Sequence, residues 1–157
     1  AEQVLTNWEA IKKQEKAAAG NTEESKSIMS KLPPTLPALM KAEKVQQKAH
    51  RVGFDWDERE GPMEKIREEM DEIRKAMDGD GDVEEEIGDL LFSAVNVARF
   101  AKVDPEQALN RSVEKFVKRF QCVEQSVQAR GAKMEDYTLA ELDRFWDACK
   151  EGEKSAE

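Results

Sequence analysis

Residues 82–102 constrain the fold most, because a helix over this stretch is apolar on almost every side. Its apolar residues are Leu90, Leu91, Phe92, Ala94, Val95, Val97, Ala98, Phe100 and Ala101. The polar exceptions follow the spacing i, i+3, i+7 and i+10, which confines them to one stripe roughly 80° wide; they are Glu86, Asp89, Ser93 and Asn96. Charged groups are rarely buried unless they are paired or bound to a metal. The segment therefore predicts a buried helix with a cation site at its acidic end.

A second group of carboxylates precedes this segment. Glu68, Glu69 and Glu72 stand at i, i+1 and i+4, which confines them to an arc of roughly 100° on a helix. Like charges on one patch repel, so carboxylates grouped beside apolar surface indicate a bound divalent cation, and Mg²⁺ prefers oxygen ligands. The alternative is a solvated acidic face, in a chain of which 38% is charged.

Helical patterns continue along the whole chain, which has eight Gly and five Pro and no long alternating run typical of a strand. Apolar spacing and capping residues predict helices over 2–19, 37–52, 62–77, 82–102 and 105–129, and a last helix that opens at Thr138. We therefore expect an all-α protein resembling a four-helix bundle. Residues 1–35 are predicted to be an N-terminal helix and linker, and residues 36–157 one all-α domain.

Charge and composition argue against several classes of protein. The net charge of −9 disfavours binding to a nucleic-acid polymer. The longest nearly apolar run, about twelve residues at 90–101, is too short to cross a membrane. The two cysteines, Cys122 and Cys149, predict packing residues without a disulfide framework, which fits a reducing cytoplasm.

Three motifs, in this order, resemble the MazG-type nucleoside triphosphate pyrophosphohydrolases, an all-α family. They are Lys-x-x-Glu-Glu-x-x-Glu at 65–72, Glu-x-x-Asp at 86–89 followed by Leu-Leu-Phe, and Lys-Phe-x-x-Arg-Phe at 115–120. The stretches around Trp8, 36–40 and 53–56 look like the opening of the catalytic, C-terminal half of full-length MazG. The resemblance thus implies that an N-terminal half precedes this chain.

The same resemblance implies Mg²⁺-dependent hydrolysis of an NTP or dNTP to a nucleoside monophosphate and pyrophosphate. Four positions match the family's metal ligands: Glu69, Glu72, Glu86 and Asp89. The expected substrate contacts are Lys65, Glu68, Glu85, Asp89, Lys115, Arg119 and Trp146. Glu68 and Glu85 are also the candidates for orienting or deprotonating the attacking water. Some relatives have a lysine where this chain has Asp82, which implies a different set of cationic contacts to the triphosphate.

The chemistry is consistent with these residues taken by themselves. Hydrolysis between the α- and β-phosphates needs neutralised phosphate oxygens and an oriented water, and Mg²⁺ held by carboxylates provides both. Lys115 and Arg119 offer positive charge, although their spacing also suits a solvated helix flank, and Trp146 also suits a core position.

Two other functions remain open. One is a narrow-specificity relative, such as a dUTP or phosphoribosyl-ATP pyrophosphatase, and the other is a non-enzymatic helical interaction module. In either case, the apolar stripes of 62–77 and 105–129 exceed what one bundle covers, so we expect a homodimer.

Overall fold

The computed structural model describes residues 10–11 and 27–156. Apart from residues 10–11, the helix predicted over 2–19 lies outside these residues, as does the first part of the linker, residues 20–26. The chain divides into two units, Ala1–Leu32 and Pro33–Glu157. In the first unit, residues 28–31 form a turn. The functional division predicted at residue 35 stays a prediction.

Helices account for the regular structure of the second unit, and the residues described there contain no strand. The helices are α1 (Ala38–Arg51), α2 (Glu60–Met77), α3 (Val83–Phe100), α4 (Pro105–Gln128) and α5 (Leu139–Lys154). A short 3₁₀ helix at Met134–Asp136 precedes α5. The predicted all-α class is confirmed, and the predicted helix bounds agree with the structure to within about two residues.

Side-chain caps fix where three of these helices begin. The Asp82 carboxylate accepts a hydrogen bond of 2.9 Å from the backbone N–H of Glu84 at the start of α3. Asp104 caps α4 in the same manner, and Pro105 follows it at the first helical position. Thr138 and Glu141 form a reciprocal capping box at the start of α5. Asp82 therefore has a structural role as the cap of α3.

The helices pack as two pairs bridged by α1. The α2–α3 contact is the most extensive, α4 packs on α5, and α1 contacts both α3 and α4. The apolar residues that are fully enclosed come from both pairs: Ala76, Val95, Val123, Val127 and Cys149. Among the described helices, none is both long and apolar enough to span a bilayer.

The prediction that α3 is buried on all sides is wrong for a single chain. Ile87, Leu91 and Phe92 are 45%, 54% and 42% exposed. The apolar stripe of α2 and the first half of the apolar face of α4 are also exposed, at Met63, Met70, Met77, Leu109, Val113, Phe116 and Phe120. The reason is geometric, because within the unit Pro33–Glu157 the helices α1 and α2 pack on one face of α3 and leave its remaining apolar side exposed.

The cysteines also differ from the prediction, because a disulfide joins Cys122 on α4 to Cys149 on α5. Packing of these two helices brings the Cα atoms to 6.1 Å, a separation that a disulfide spans. The two residues are 27 positions apart in sequence, so no local sequence pattern predicts the disulfide. The cysteine content is consequently no argument for a reducing compartment.

A largely buried ion pair ties the α1–α2 connection to α3. The guanidinium of Arg99 donates two hydrogen bonds of 2.7 Å to the Asp55 carboxylate, and a third of 2.9 Å to the side-chain carbonyl of Asn96. The Asp55 and Arg99 side chains are 9% and 13% exposed. Arg99 holds the pKa of the Asp55 carboxyl below its usual range, which the backbone N–H of Trp56 reinforces.

The aromatic residues of this connection are exposed rather than buried in the bundle. Phe54 is 82% exposed, and Trp56 lies against the start of α2. A Cβ at residue 61 would overlap the Trp56 ring, so the chain has Gly61 where the ring passes over the backbone.

Candidate metal centre

One carboxylate of α2 meets two carboxylates of α3 where these helices pack. Glu69, Glu86 and Asp89 each offer one oxygen, and the three oxygens lie within 4.8 Å of one another. Glu86 and Asp89 share a face of α3 because they are three residues apart. Oxygens bound to one hard cation at 2.0–2.6 Å lie at most about 5 Å apart, so this carboxylate triad fits a single Mg²⁺ or similar ion.

The three carboxylates of the triad differ in solvent exposure, from the interior of the protein to its surface. Glu69 is 3% exposed, Glu86 is half-buried and Asp89 is exposed. A cation held here has protein oxygens on its inner side and an open outer side. Mg²⁺ commonly keeps waters and binds phosphate oxygens on such an open side.

The three carboxylates repel one another. Loss of hydration raises the pKa of the Glu86 carboxyl, and the negative charges of Glu69, Glu72 and Asp89 raise it further. A raised pKa means that the fold disfavours the ionised form. Glu86 therefore reduces stability increasingly as the pH rises above its ordinary value of 4.5. A bound cation removes the cause of this loss.

Lys65 supplies the one ion pair made to the triad within residues 27–156. Its Nζ lies 2.6 Å from Oε1 of Glu69, one turn along α2, and 3.1 Å from Oε2 of Glu68. These two carboxylates raise the pKa of Lys65 well above its usual value, Glu69 having the larger effect. Lys65 and Glu68, both predicted substrate contacts, are thus joined to the triad.

Other predicted residues of the acidic patch lie around the triad rather than in it. Glu72, predicted as a fourth ligand, is outside the triad and pairs with Lys75 at 2.7 Å. It is still close enough to raise the pKa of Glu86, as is Glu85, which is exposed. The roles assigned to Glu72 and Glu85 stay predictions.

The predicted phosphate and base contacts form a second group on α4 and α5. Nε of Arg119 lies 3.1 Å from both carboxylate oxygens of Glu153, and its guanidinium lies 5.8 Å from the centre of the Trp146 ring. Trp146 packs against Phe116 with ring centres 5.3 Å apart. Lys115 lines an open cavity of about 560 Å³ beside them, together with Arg111, Glu114, Lys118, Glu153 and Ala156. No hydrogen bond or ion pair between side chains of 27–156 joins this group to the triad.

Two pairings in the structure were not predicted from the sequence: Arg119 with Glu153, and Asp55 with Arg99. Glu153 lies two helical turns after Trp146 on α5, a spacing that places both on one face and was available in the sequence. Asp55 and Arg99 are 44 residues apart and belong to different elements, so no spacing rule connects them.

The fold and the triad together define the class: an all-α domain with a cluster of three carboxylates, which could hold a cation, between two packed helices. The particular family follows from comparison with known proteins, because residues 58–123 match the family described as the MazG nucleotide pyrophosphohydrolase domain. Residues 58–123 therefore form a segment that matches the MazG family. The matched residues contain the whole triad, Lys65 and Lys115, whereas Trp146 and Glu153 lie beyond them.

Curated relatives share this region and extend beyond it. "Nucleoside triphosphate pyrophosphohydrolase/pyrophosphatase MazG" of Thermotoga maritima is 42% identical over 148 residues, which cover 94% of this chain and 56% of the relative. "Nucleoside triphosphate pyrophosphohydrolase" of Escherichia coli K12 is 39% identical over 155 residues, covering 96% and 57%. The chain thus spans about half the length of the curated relatives it matches.

Proposed function

We propose that this chain is the catalytic domain of a Mg²⁺-dependent nucleoside triphosphate pyrophosphohydrolase that accepts NTPs and dNTPs. The observation that carries the proposal is the convergence of Glu69, Glu86 and Asp89 within 4.8 Å, because it puts oxygen ligands for one cation on two packed helices. The family match and the names of both relatives support the reaction type.

In the proposed reaction, water attacks the α-phosphorus, the bond from that phosphorus to the bridging oxygen breaks, and pyrophosphate leaves. When bound, Mg²⁺ supplies positive charge to the phosphate oxygens. Glu69, Glu86 and Asp89 hold the ion, and Glu68 or Glu85 takes the proton from the attacking water. Both of these carboxylates are exposed beside the triad, so water reaches them.

The α4–α5 group binds the rest of the nucleotide in this proposal. Lys115 is exposed and offers an ammonium to the phosphates. The Trp146 ring stacks on the base, and Arg119 turns from Glu153 toward a phosphate. A homodimer is part of the proposal, supported by the exposed apolar residues of α2, α3 and α4.

We also propose the cytoplasm as the location, because nucleoside triphosphates are found there.

The test is product analysis across the four NTPs, the four dNTPs, dUTP and phosphoribosyl-ATP, with millimolar Mg²⁺ or with chelator. We expect equimolar monophosphate and pyrophosphate from several nucleotides, with Mg²⁺ only. Turnover of dUTP alone or of phosphoribosyl-ATP alone would indicate the narrow-specificity alternative. No product from any substrate would favour the interaction module.

Asp89→Asn provides the site-specific variant, and Asp71→Asn provides its control. Asp71 lies on α2, is exposed and pairs with Arg74 at 2.8 Å, so its substitution removes an equal charge outside the triad. We expect Asp89→Asn to lose hydrolysis and Asp71→Asn to keep it. Equal activity in both variants would mean that Asp89 is no ligand.

A further inference from the structure

Lys65 differs from the other cations of α2 in the burial of the group it neutralises. The pairs Arg67–Glu64, Arg74–Asp71 and Lys75–Glu72 have both side chains 46–70% exposed. Exposed pairs of this kind contribute little, because water screens both charges. In contrast, the Glu69 side chain is 4% exposed, while that of Lys65 is 44% exposed. The contact therefore runs from a buried carboxylate to a cation at the surface.

We propose that Lys65 is the internal counter-cation of the metal-free site, exchanged for the divalent metal when that metal binds Glu69. The inference rests on the metal site proposed above. It adds a role for Lys65 that precedes substrate binding: the ammonium pairs with Glu69 and holds it in place, and metal binding then releases that ammonium.

The exchange follows from the 2.6 Å contact between Lys65 Nζ and Glu69 Oε1. A charge-assisted hydrogen bond of this length occupies the carboxylate that the ion also needs. A metal held by Glu69 repels the ammonium. The flexible four-carbon stem of Lys65 lets the head swing outward, where Glu68 already holds it at 3.1 Å on the exposed side.

In the outward position, the released ammonium binds a phosphate of the substrate. Phosphate oxygens that bind the open side of the triad arrive on the same side as the displaced Lys65. Metal binding thereby supplies a cation for the phosphate, and by linkage a phosphate bound to Lys65 favours the metal to the same extent. The site then holds metal and substrate phosphates more tightly together than separately.

The experiment compares Lys65→Met, which keeps the length of the side chain without its charge, with Lys65→Arg and with Arg67→Met. Arg67 is on the same helix and pairs with the exposed Glu64 at 2.7 Å, so Arg67→Met removes equal charge away from Glu69. Mn²⁺ binding is measured by calorimetry at pH 8 without nucleotide. Thermal melts are recorded in chelator and in millimolar Mg²⁺.

Lys65→Met should bind Mn²⁺ about tenfold more tightly than the parent, on the scale of one charge-assisted hydrogen bond. It should also melt at a lower temperature in chelator and show a larger Mg²⁺-induced rise, because Glu69 is buried without a partner until metal binds. Lys65→Arg and Arg67→Met should behave like the parent. A purely structural lysine would produce the opposite, since its loss would weaken metal binding.

Two failures are distinguishable. Equal or weaker Mn²⁺ binding by Lys65→Met, with metal binding intact in the parent, would overturn the counter-cation role alone. Absence of Mn²⁺ binding and of any Mg²⁺-induced shift in every protein would overturn the metal site and this inference together.

Discussion

Single residues set the electrostatic character of the site. Glu69 is a carboxyl group in a nearly closed position, and its one ion pair within residues 27–156 is to Lys65. Glu86 and Asp89 add negative charge beside it without a cation of their own among the described residues. A site arranged in this manner gives up some stability in the metal-free protein for affinity toward a cation.

Replacing Asp89 with Asn tests this repulsion directly. The substitution removes one charge at nearly constant shape, so the metal-free variant should melt at the same temperature as the parent or higher. Added Mg²⁺ should raise the melting temperature of the parent more, because a ligand stabilises the state that binds it. Paired melts in chelator and millimolar Mg²⁺ measure both effects. An identical Mg²⁺ shift in both proteins would remove Asp89 from the site.

Asp55 yields a pH-dependent prediction. Its pKa is lowered from 3.8, chiefly by Arg99, so its ionised form contributes stability that is present above that pH and is lost as the pH falls through the folded-state value. Asp55→Asn should lower the free energy of unfolding by about 3 kcal/mol at pH 7, the scale of a broken buried ion pair. The difference between parent and variant should shrink below about pH 4.

Urea unfolding at pH 7 and pH 3 provides the measurement for Asp55. The matched control is Asp71→Asn, whose pair with Arg74 is exposed and should contribute about 0.5 kcal/mol or less. A loss at pH 7 no greater than that of the control would show that the Asp55–Arg99 pair is not a stabilising contact.

Lys115 and Arg119 test the nucleotide contacts. Alanine at either position should weaken nucleotide binding by about 1.5–3 kcal/mol, the scale of a hydrogen bond to a charged group, with the fold intact. Binding of a non-hydrolysable triphosphate is measured by calorimetry. Arg144→Ala is the control, since Arg144 is an exposed cation of α5 outside this group. Unchanged affinity in both variants would mean that Lys115 and Arg119 do not bind the nucleotide.

At the scale of elements, local patterns determine the helices because their signals are short in range. The capping residues Asp104 and Thr138 and the apolar spacing of each segment lie within a few positions of the helices they define. The acidic residues of α3 share a face by spacing alone, whereas the arrival of Glu69 beside them depends on how α2 packs. Glu72 was predicted as a metal ligand from its spacing, but it pairs with Lys75 outside the triad.

Other features depend on contacts distant in sequence. The Asp55–Arg99 pair and the Cys122–Cys149 disulfide each join separate elements, so they follow from tertiary packing. The exposure of the α2 methionine stripe has the same origin, because periodicity identifies an apolar face without telling whether the same chain covers it.

The disulfide makes the α4–α5 pair sensitive to reductant. It closes a loop of 27 residues, for which chain entropy gives a stabilisation of about 3.5 kcal/mol. The oxidised parent should therefore unfold at higher urea concentration than the reduced parent. The urea unfolding curve of the double variant Cys122→Ser, Cys149→Ser should not change when reductant is added. Thiol counting by mass spectrometry defines each state, and coincident unfolding curves for oxidised and reduced parent would contradict the prediction.

At the scale of the whole molecule, many apolar side chains of residues 33–156 are exposed to solvent. Exposed apolar side chains occur on α2, α3 and α4, and on α3 they flank the triad, because Ile87 follows Glu86 directly and Leu91 lies one turn beyond. Monomeric proteins rarely expose contiguous apolar patches of this kind, and a second copy is the simplest cover for a surface that two-fold symmetry makes self-complementary.

Light scattering tests the homodimer and its link to the site. At tens of micromolar the parent should have twice the 17.8 kDa mass of one chain. Leu91→Lys places a charge on the 54% exposed face of α3 and should yield monomers, whereas Leu139→Lys, at a 77% exposed position beginning α5, should leave the dimer intact. Because Leu91 lies within a turn of Asp89, the monomeric variant should also hydrolyse nucleotide more slowly. A parent that scatters as a single chain would contradict the dimer, and a monomeric Leu91→Lys with full activity would separate assembly from catalysis.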